Sequence, residues 1–196
     1  MELRESETMK NLARAFAGEC QDGARYQFMR KKATQEQYPA IGNQLKLLAT
    51  NEMAHAKELY ELITDGCTEC IENIAWEAGY PFKAGNLIDE IKTSAENEKQ
   101  EGEKIYPEFA KIAKKEGFAE ISKKFLQIAE VEKQHHQTLD QLYQKMKKNK
   151  LYKATNAVTW TCGNCGHTET SKAAWEHCPL CHAPKGAVII PNEEQN

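Results

Sequence analysis

Long hydrophobic runs are missing from this 196-residue chain. The longest unbroken apolar stretch is Ala187–Ile190, far short of the roughly 20 residues that cross a bilayer. The opening segment, Met1–Glu5, lacks the apolar stretch of a secretory leader. Basic blocks are missing too: 26 Lys and Arg stand against 29 Asp and Glu, for a formal charge of −3. Nucleic acid is therefore a poor candidate partner. The seven cysteines are an odd number. With no export signal, they are expected as reduced thiols or metal ligands rather than a disulfide framework, and the expected location is cytoplasmic. Proline is scarce before residue 151, with only Pro39, Pro81 and Pro107. What remains, 28% charged and 40% hydrophobic, is ordinary globular composition. The length suits one domain or two small ones.

Composition divides the chain. Residues 151–196 hold four of the seven cysteines and three of the six prolines. The preceding 150 residues are rich in Glu, Lys, Ala, Gln and Leu, which favour helices. A boundary is expected between Lys147 and Thr155, giving a mainly helical domain over 1–150 and a small module over 151–196. Steps of three and four between apolar residues predict four amphipathic helices. The first spans roughly Glu5–Thr34, with Met9, Leu12, Phe16, Gly23 and Tyr26 on one stripe. The second spans Pro39–Thr64, with Ile41, Leu45, Leu48, Leu59 and Leu62, and Gly66 suits its stop. The third spans Asn86–Lys115, with Leu87, Ile91, Ile105, Phe109 and Ile112, and Pro107 predicts a kink. The fourth spans Ala119–Lys148, with Ile121, Phe125, Ile128, Leu139 and Leu142. Two short connections predict antiparallel hairpins. The segment Asp65–Gly85 is long enough to cross the end of a bundle, and one long crossover is the ferritin-like connectivity.

Polar residues interrupt these stripes near mid-helix. Glu52 and His55 sit on the second seam, Glu132 and His135 on the fourth, Glu19 on the first, and Glu98 and Glu101 on the third. Chance alone yields about one Glu-x-x-His match in a chain of this composition, so the motif by itself is weak. Its register is the stronger signal, because both matches fall on core seams. Buried carboxylates are costly unless paired or metal-bound, and no Lys or Arg shares those mid-helix seams. Two divalent or trivalent ions would balance the charge, and an oxygen and imidazole donor set suits Fe or Mn. One Glu from each of two helices plus Glu-x-x-His from the other two is the di-iron carboxylate arrangement.

Cys162, Cys165, Cys178 and Cys181 form two C-x-x-C pairs, which predict a closed tetrahedral site for zinc or iron. Gly166 suits the left-handed residue of a metal knuckle. His167, His177 and His182 are surplus to four thiolates and are expected on the surface. A third pair, Cys67 and Cys70, lies in the crossover and is expected to be two unpaired thiols; Cys20 is one step off its seam and is expected to serve packing.

Together these residues resemble the rubrerythrin family over essentially the whole chain. The resemblance rests on AFAGE at Ala15–Glu19, NEMAHAK at Asn51–Lys57, YPEFA at Tyr106–Ala110, IAEVEKQH at Ile128–His135, and CPLC at Cys178–Cys181 followed by Pro184 and Lys185. It implies a ferritin-like di-iron four-helix bundle followed by a rubredoxin-like module, with three Fe per chain and the tail site shifted from zinc towards iron. The implied activity is that of a non-haem di-iron peroxidase of the NADH peroxidase type, reducing hydrogen peroxide in cells that avoid oxygen. Its electrons would come from a rubredoxin or an NAD(P)H-dependent reductase. A homodimer or larger assembly is implied, with one chain's tail meeting another's bundle. Carried onto this chain, Glu52 and Glu132 would bridge the irons, Glu19 would bind one, and Glu98 with His135 the other. Glu101 would bind the first iron when oxidised and His55 when reduced, with Tyr26 and Tyr106 close by. The chain departs from the family pattern at Cys20 (usually a small residue such as Ser), Asn97 (usually Gly), Ala174–Trp175 (usually Ala-Pro) and His167 (commonly Tyr). The rival expectations are a ferritin-like iron oxidase or storage protein using dioxygen, and a non-enzymatic zinc-ribbon adaptor.

Overall fold

The computed structural model describes residues 2–65 and 73–191. The Gly66 stop and the Cys67–Cys70 pair lie outside them. Two long helices, α1 (Glu7–Gln35) and α2 (Pro39–Asp65), form the first hairpin. The second pairs α5 (Ala119–Lys147) with a rod built from α3 (Leu87–Gln100), a π-helical turn (Glu101–Ile105) and α4 (Tyr106–Glu116). Local signals set the ends. The Ser6 side chain accepts the Met9 amide at 3.0 Å and caps α1, Asn86 accepts the Asp89 amide and caps α3, and Gly117 ends α4 at φ 94.

The third rod departs from the expected single kinked helix. Its irregularity is the π turn just before Pro107, not a sharp bend at the proline. A π turn adds a residue to the helical register, and everything after it rotates. Ile105 is exposed, while Gly102, Tyr106, Ala110 and Ala113 take the buried line assigned above to Ile105, Phe109 and Ile112. The turn also presses against α5. A Cβ on Gly102 would lie 2.9 Å from the Ala129 carbonyl oxygen, so only glycine fits there.

The described part of the crossover, residues 73–85, does not cross the end of the bundle. It runs lengthwise along α1: Arg14 donates to the Glu77 carbonyl, Arg25 to that of Pro81, and Lys32 to that of Gly85. Eight extended residues reach about 27 Å, and eighteen helical residues rise about the same, so strand-like and helical segments keep pace. This path delivers the chain to the start of α3 with α2 and α3 parallel, the ferritin-like arrangement. It also hangs residues 77–81 over a cavity of about 260 Å³ lined by Arg14, Asp22, Tyr80, Asn97, Glu101 and Tyr106, among others.

Two apolar clusters fill the bundle. One surrounds Leu12, Leu59, Tyr106 and Phe125; the other surrounds Tyr26, Leu45, Ile91 and Leu139. Between them in sequence, on every rod, lies a layer of buried polar residues: Glu19, Glu52, Glu98, Glu132 and His135.

After α5 the chain forms a three-stranded antiparallel sheet in the order β2-β1-β3, from β1 (Lys153–Cys162), β2 (Thr168–Ala173) and β3 (Val188–Ile189). Its core is small, centred on Trp160, Ala174 and Val188. Leu151, Tyr152 and Ile190 pack on the bundle's second cluster. Gly186 abuts the Gln37 carbonyl so closely that a side chain there would collide with it. The module therefore sits at the end of the bundle that carries the α1–α2 turn. Among the described residues, no helix is long and apolar enough to cross a membrane.

Candidate metal centres

Each rod brings its polar interruption to one layer. Glu-x-x-His pairs share a helix face because residues three apart are neighbours there. The side chains assemble into two ligand groups with two members in common. Glu19, Glu52, His55 and Glu132 form one; Glu52, Glu98, Glu132 and His135 form the other. The shared carboxylates each divide their oxygens. Glu52 turns Oε2 to His55 Nδ1 at 3.3 Å and Oε1 to His135 Nδ1 at 3.0 Å. Glu132 turns Oε1 to His55 at 3.0 Å and Oε2 to His135 at 2.8 Å. The two imidazoles lie nearly parallel, with centroids 6.0 Å apart. The layer therefore has an approximate twofold pattern, with one imidazole and one further carboxylate on each side of the two shared carboxylates.

Tyrosines complete that pattern. Tyr106 donates its phenolic hydrogen bond to Glu19, and Tyr26 donates to Glu98. Burial, reinforced by the carboxylate charges, pushes both phenols well above their usual range, so they stay protonated donors.

Glu101 belongs to neither group. It begins the π turn, lines the cavity under the crossover, and accepts a hydrogen bond from Asn97 Nδ2 at 3.0 Å. His55 stands among the carboxylates with a side-chain exposure of 14%, against 5% for His135. The one imidazole with some solvent contact is therefore on the Glu19 side.

The charge balance tests whether cations fit. Burial, with the charges of Glu132 and Glu52 adding to it, drives Glu19 up to about 8. Burial and the same neighbours push Glu98 well above the carboxylate range. For His55 and His135 burial opposes charge, but the surrounding carboxylates outweigh it and raise both to about 12. Burial likewise opposes ionisation of Glu132, yet the two imidazoles bring it down to about 2. Unaided, then, the layer is neutralised by protons, on imidazoles that would otherwise offer lone pairs. Glu52 Oε1, Glu98 Oε2, both Glu132 oxygens and His135 Nδ1 are buried without a hydrogen-bond partner, although some lie within 3.0 Å of one another. Such atoms point as ligands converging on shared centres, not as donors meeting acceptors, and two cations satisfy them.

Three residues have contacts at the site that the sequence analysis did not assign to them. Asp22 is buried one turn after Glu19, paired with Arg25 and bonded to Asn97 Nδ2 at 3.2 Å. Burial raises it to about 7 despite Arg25. Its place on the stripe with Glu19, Gly23 and Tyr26 was the available signal. Asn97 bridges Asp22 and Glu101. Asn51 lies 3.3 Å from His135 Nε2 and steadies the ring whose Nδ1 faces the carboxylates.

In the tail, the four thiols also converge. Cys162 and Cys181 sulfurs are 3.7 Å apart, as are those of Cys165 and Cys178. Sulfurs about 2.3 Å from a common ion sit at tetrahedron edges of about 3.8 Å, so the spacing is that of a tetrathiolate metal site. Each C-x-x-C pair forms a knuckle with a left-handed residue: Gly166 at φ 76 and His182 at φ 59. His182 and His177 are exposed. His167 is half-buried instead, packing on Trp175 at 5.4 Å between centroids.

Comparisons with known proteins agree with this geometry. A sequence profile of the rubrerythrin family matches residues 10–143 and 89–162. The rubrerythrin of Clostridium perfringens is 34% identical over 93% of both chains. That of Nitratidesulfovibrio vulgaris is 33% identical, also over 93% of each. Among solved structures, mixed-valence nigerythrin superposes with a TM-score of 0.62 at 23% identity, covering 92% of this chain and 84% of that one. A Desulfovibrio desulfuricans bacterioferritin reaches 0.67 at 22% identity over 76% and 85%. Those two likenesses concern the ferritin-like fold. The carboxylate–imidazole layer and the four-thiol site match the iron cofactors of rubrerythrins, a di-iron centre and a tetrathiolate iron. With the profile spanning more than half of the sequence and the relatives aligned nearly end to end, this chain belongs to the rubrerythrin family of di-iron oxidoreductases.

Proposed function

We propose that this protein reduces hydrogen peroxide to water, with Glu52 and Glu132 bridging two irons, Glu19 and His55 serving one, and Glu98 and His135 the other. The observation that carries the reading is the division of each bridging carboxylate between two imidazoles. It supports two metal positions close enough to act on one O–O bond. When bound, the ferrous pair supplies the two electrons that, with two protons, convert one peroxide to two waters.

The chain's own residues do the rest. The cavity beside Glu101 and Tyr106 admits a small solute to the open side of the layer, where His55 is slightly exposed. Tyr106 lines that cavity and holds its proton against Glu19, within reach of a departing oxygen. Tyr26 does the same for Glu98 on the closed side. Asn51 and the apolar clusters fix the ligands' directions. Glu101 would hold the first iron in its ferric form and His55 in its ferrous form, because a carboxylate suits ferric iron and a neutral imidazole suits ferrous iron. His55 stands among the carboxylates and Glu101 outside both ligand groups, the placement that ferrous binding would use.

Cys162, Cys165, Cys178 and Cys181 would hold an iron able to pass single electrons from a donor such as a rubredoxin or an NAD(P)H-dependent reductase. Its module abuts Gln37, whereas Glu52 lies thirteen residues beyond Pro39 along α2, about 20 Å down the axis. That separation within one chain supports relay into the bundle of a second chain in a homodimer or larger assembly. The test is anaerobic mixing of the reduced protein with peroxide and, separately, with air-saturated buffer. Faster oxidation by peroxide, at one peroxide per iron pair, is expected. Faster oxidation by air with retained iron mineral would instead make it a ferritin-like oxidase.

A further inference from the structure

Asn97 occupies a position that its own helix does not require. It is half-buried on α3, one turn before Glu101, and both hydrogens of its amide are used. One goes to Asp22 Oδ2 at 3.2 Å and the other to Glu101 Oε2 at 3.0 Å. Both partners are carboxylates, so the amide presents its NH2 to them; the opposite orientation would set three acceptors face to face. Asp22 is itself held, by Arg25 through its other oxygen, and Arg25 also grips the Pro81 carbonyl of the crossover and Gln21 Oε1. The result is a chain of contacts from the crossover through Arg25, Asp22 and Asn97 to Glu101. Among the described residues, Asn97 is the hydrogen-bond donor to Glu101.

We propose that Asn97, anchored by Asp22, is a positioning residue that latches the Glu101 carboxylate in the cavity wall, away from the metal layer, and so favours the His55-ligated form of the site. The inference rests on the exchange of His55 and Glu101 proposed above and adds what sets its balance. Moving Glu101 into the layer breaks its bond to Asn97 and leaves the amide facing Asp22 alone. Glu101 opens the π turn while its own N–H still bonds the Asn97 carbonyl in the register of α3, so the exchange requires movement of the side chain alone. The latch acts only on the parked state, so it shifts the population between the two arrangements without touching a metal or a substrate. One such hydrogen bond corresponds to a shift on the order of tenfold.

The test is the midpoint potential of the bundle's iron pair in the full-length protein, measured without peroxide in a double-mutant cycle of Asn97→Ala and Glu101→Ala. Alanine suits mid-helix, and Asn97→Gly, the usual family residue, serves the same cycle should Asn97→Ala fail to fold. Removing the latch is expected to favour the carboxylate-ligated ferric form, lowering the potential so that the ferric-to-ferrous ratio at fixed potential rises about tenfold. In the Glu101→Ala background the same change should have no effect. A potential unmoved by Asn97→Ala but moved by Glu101→Ala overturns the latch alone; no movement in either overturns the ligand exchange with it. An equal shift with and without Glu101 also overturns it, since Asn97 would then act by another route. A purely structural role would move the melting temperature and not the potential. Slower oxidation by peroxide than by air would reject the proposed activity while leaving this result intact.

Discussion

The bundle and the tail hold metal donors in opposite ways. In the bundle, five of the ligand-layer side chains are buried between two apolar clusters, and they come from positions as far apart as Glu19 and His135. The packed rods exist first, and the donors ride on them. In the tail, the four thiols come from two local knuckles, Cys165 is exposed, and the core centres on Trp160, Ala174 and Val188. So small a core cannot offset the entropy of ordering its chain, and the metal supplies what packing lacks. The lesson is that the bundle's fold positions its metals, while the tail's metal positions its fold.

The sharpest way to break this comparison is Cys178→Ser. Structural metal in small thiolate modules contributes on the order of 10 kcal/mol to folding. The variant should lose the tail's fold outright, seen as solvent-exposed Trp160 fluorescence, while helical circular dichroism stays near the parent level. Equal loss of helix would refute the asymmetry. Next in size, Glu132→Ala should lower iron from three to one per chain by elemental analysis and leave the tail's ion in place, because both bundle positions share that carboxylate. Glu19→Ala should weaken one position and spare the other. Phe125→Ala removes a fully buried ring and should cost about 3–5 kcal/mol in chemical denaturation of the bundle. The tail's visible spectrum should not change until the helices unfold.

A smaller effect distinguishes metal-free from metal-loaded bundles by pH. Glu19 at about 8 and Asp22 at about 7 are raised above their unfolded values, and His55 and His135 at about 12 are raised as well. Between pH 6.5 and 8 the folded metal-free protein therefore binds more protons than the unfolded one, and its stability falls as pH rises. Glu132, lowered to about 2, contributes the opposite slope only below its unfolded value. With metal bound the trend should reverse, since ligands must shed protons to bind. Thermal melts at pH 6 and 8, with and without chelator, check the crossing of the two trends. The smallest expected change is Ser6→Ala, about 1 kcal/mol from loss of the α1 cap, with both metal sites intact.

Much of this was legible in sequence. The seams of the first, second and fourth helices matched the buried faces because an unbroken α-helix repeats faithfully, so Glu19, Glu52, His55, Glu132 and His135 fell into one layer. The four-thiol site was legible because its spacing is local. The third rod was not. Nothing in the run from Glu98 to Pro107 announces a π turn, which arises where Gly102 lets the backbone approach α5. That one-residue slip is why Ile105 faces outward. Glu101, at the start of the turn, lies beside the cavity and in neither ligand group. The path of the crossover was likewise unreadable, because it is set by side chains of α1 reaching its carbonyls.

Periodicity and spacing, both properties of a single segment, determined the three unbroken rods, the polar residues at their middles and the tetrathiolate knuckles. Contacts between segments decided which oxygen of each shared carboxylate meets which imidazole, where Glu101 rests, and that Asn97, held by Asp22, reaches it. Hydrogen bonds and close approaches of this kind depend on ångström-scale distances between residues remote in the chain, and only the packed bundle sets those.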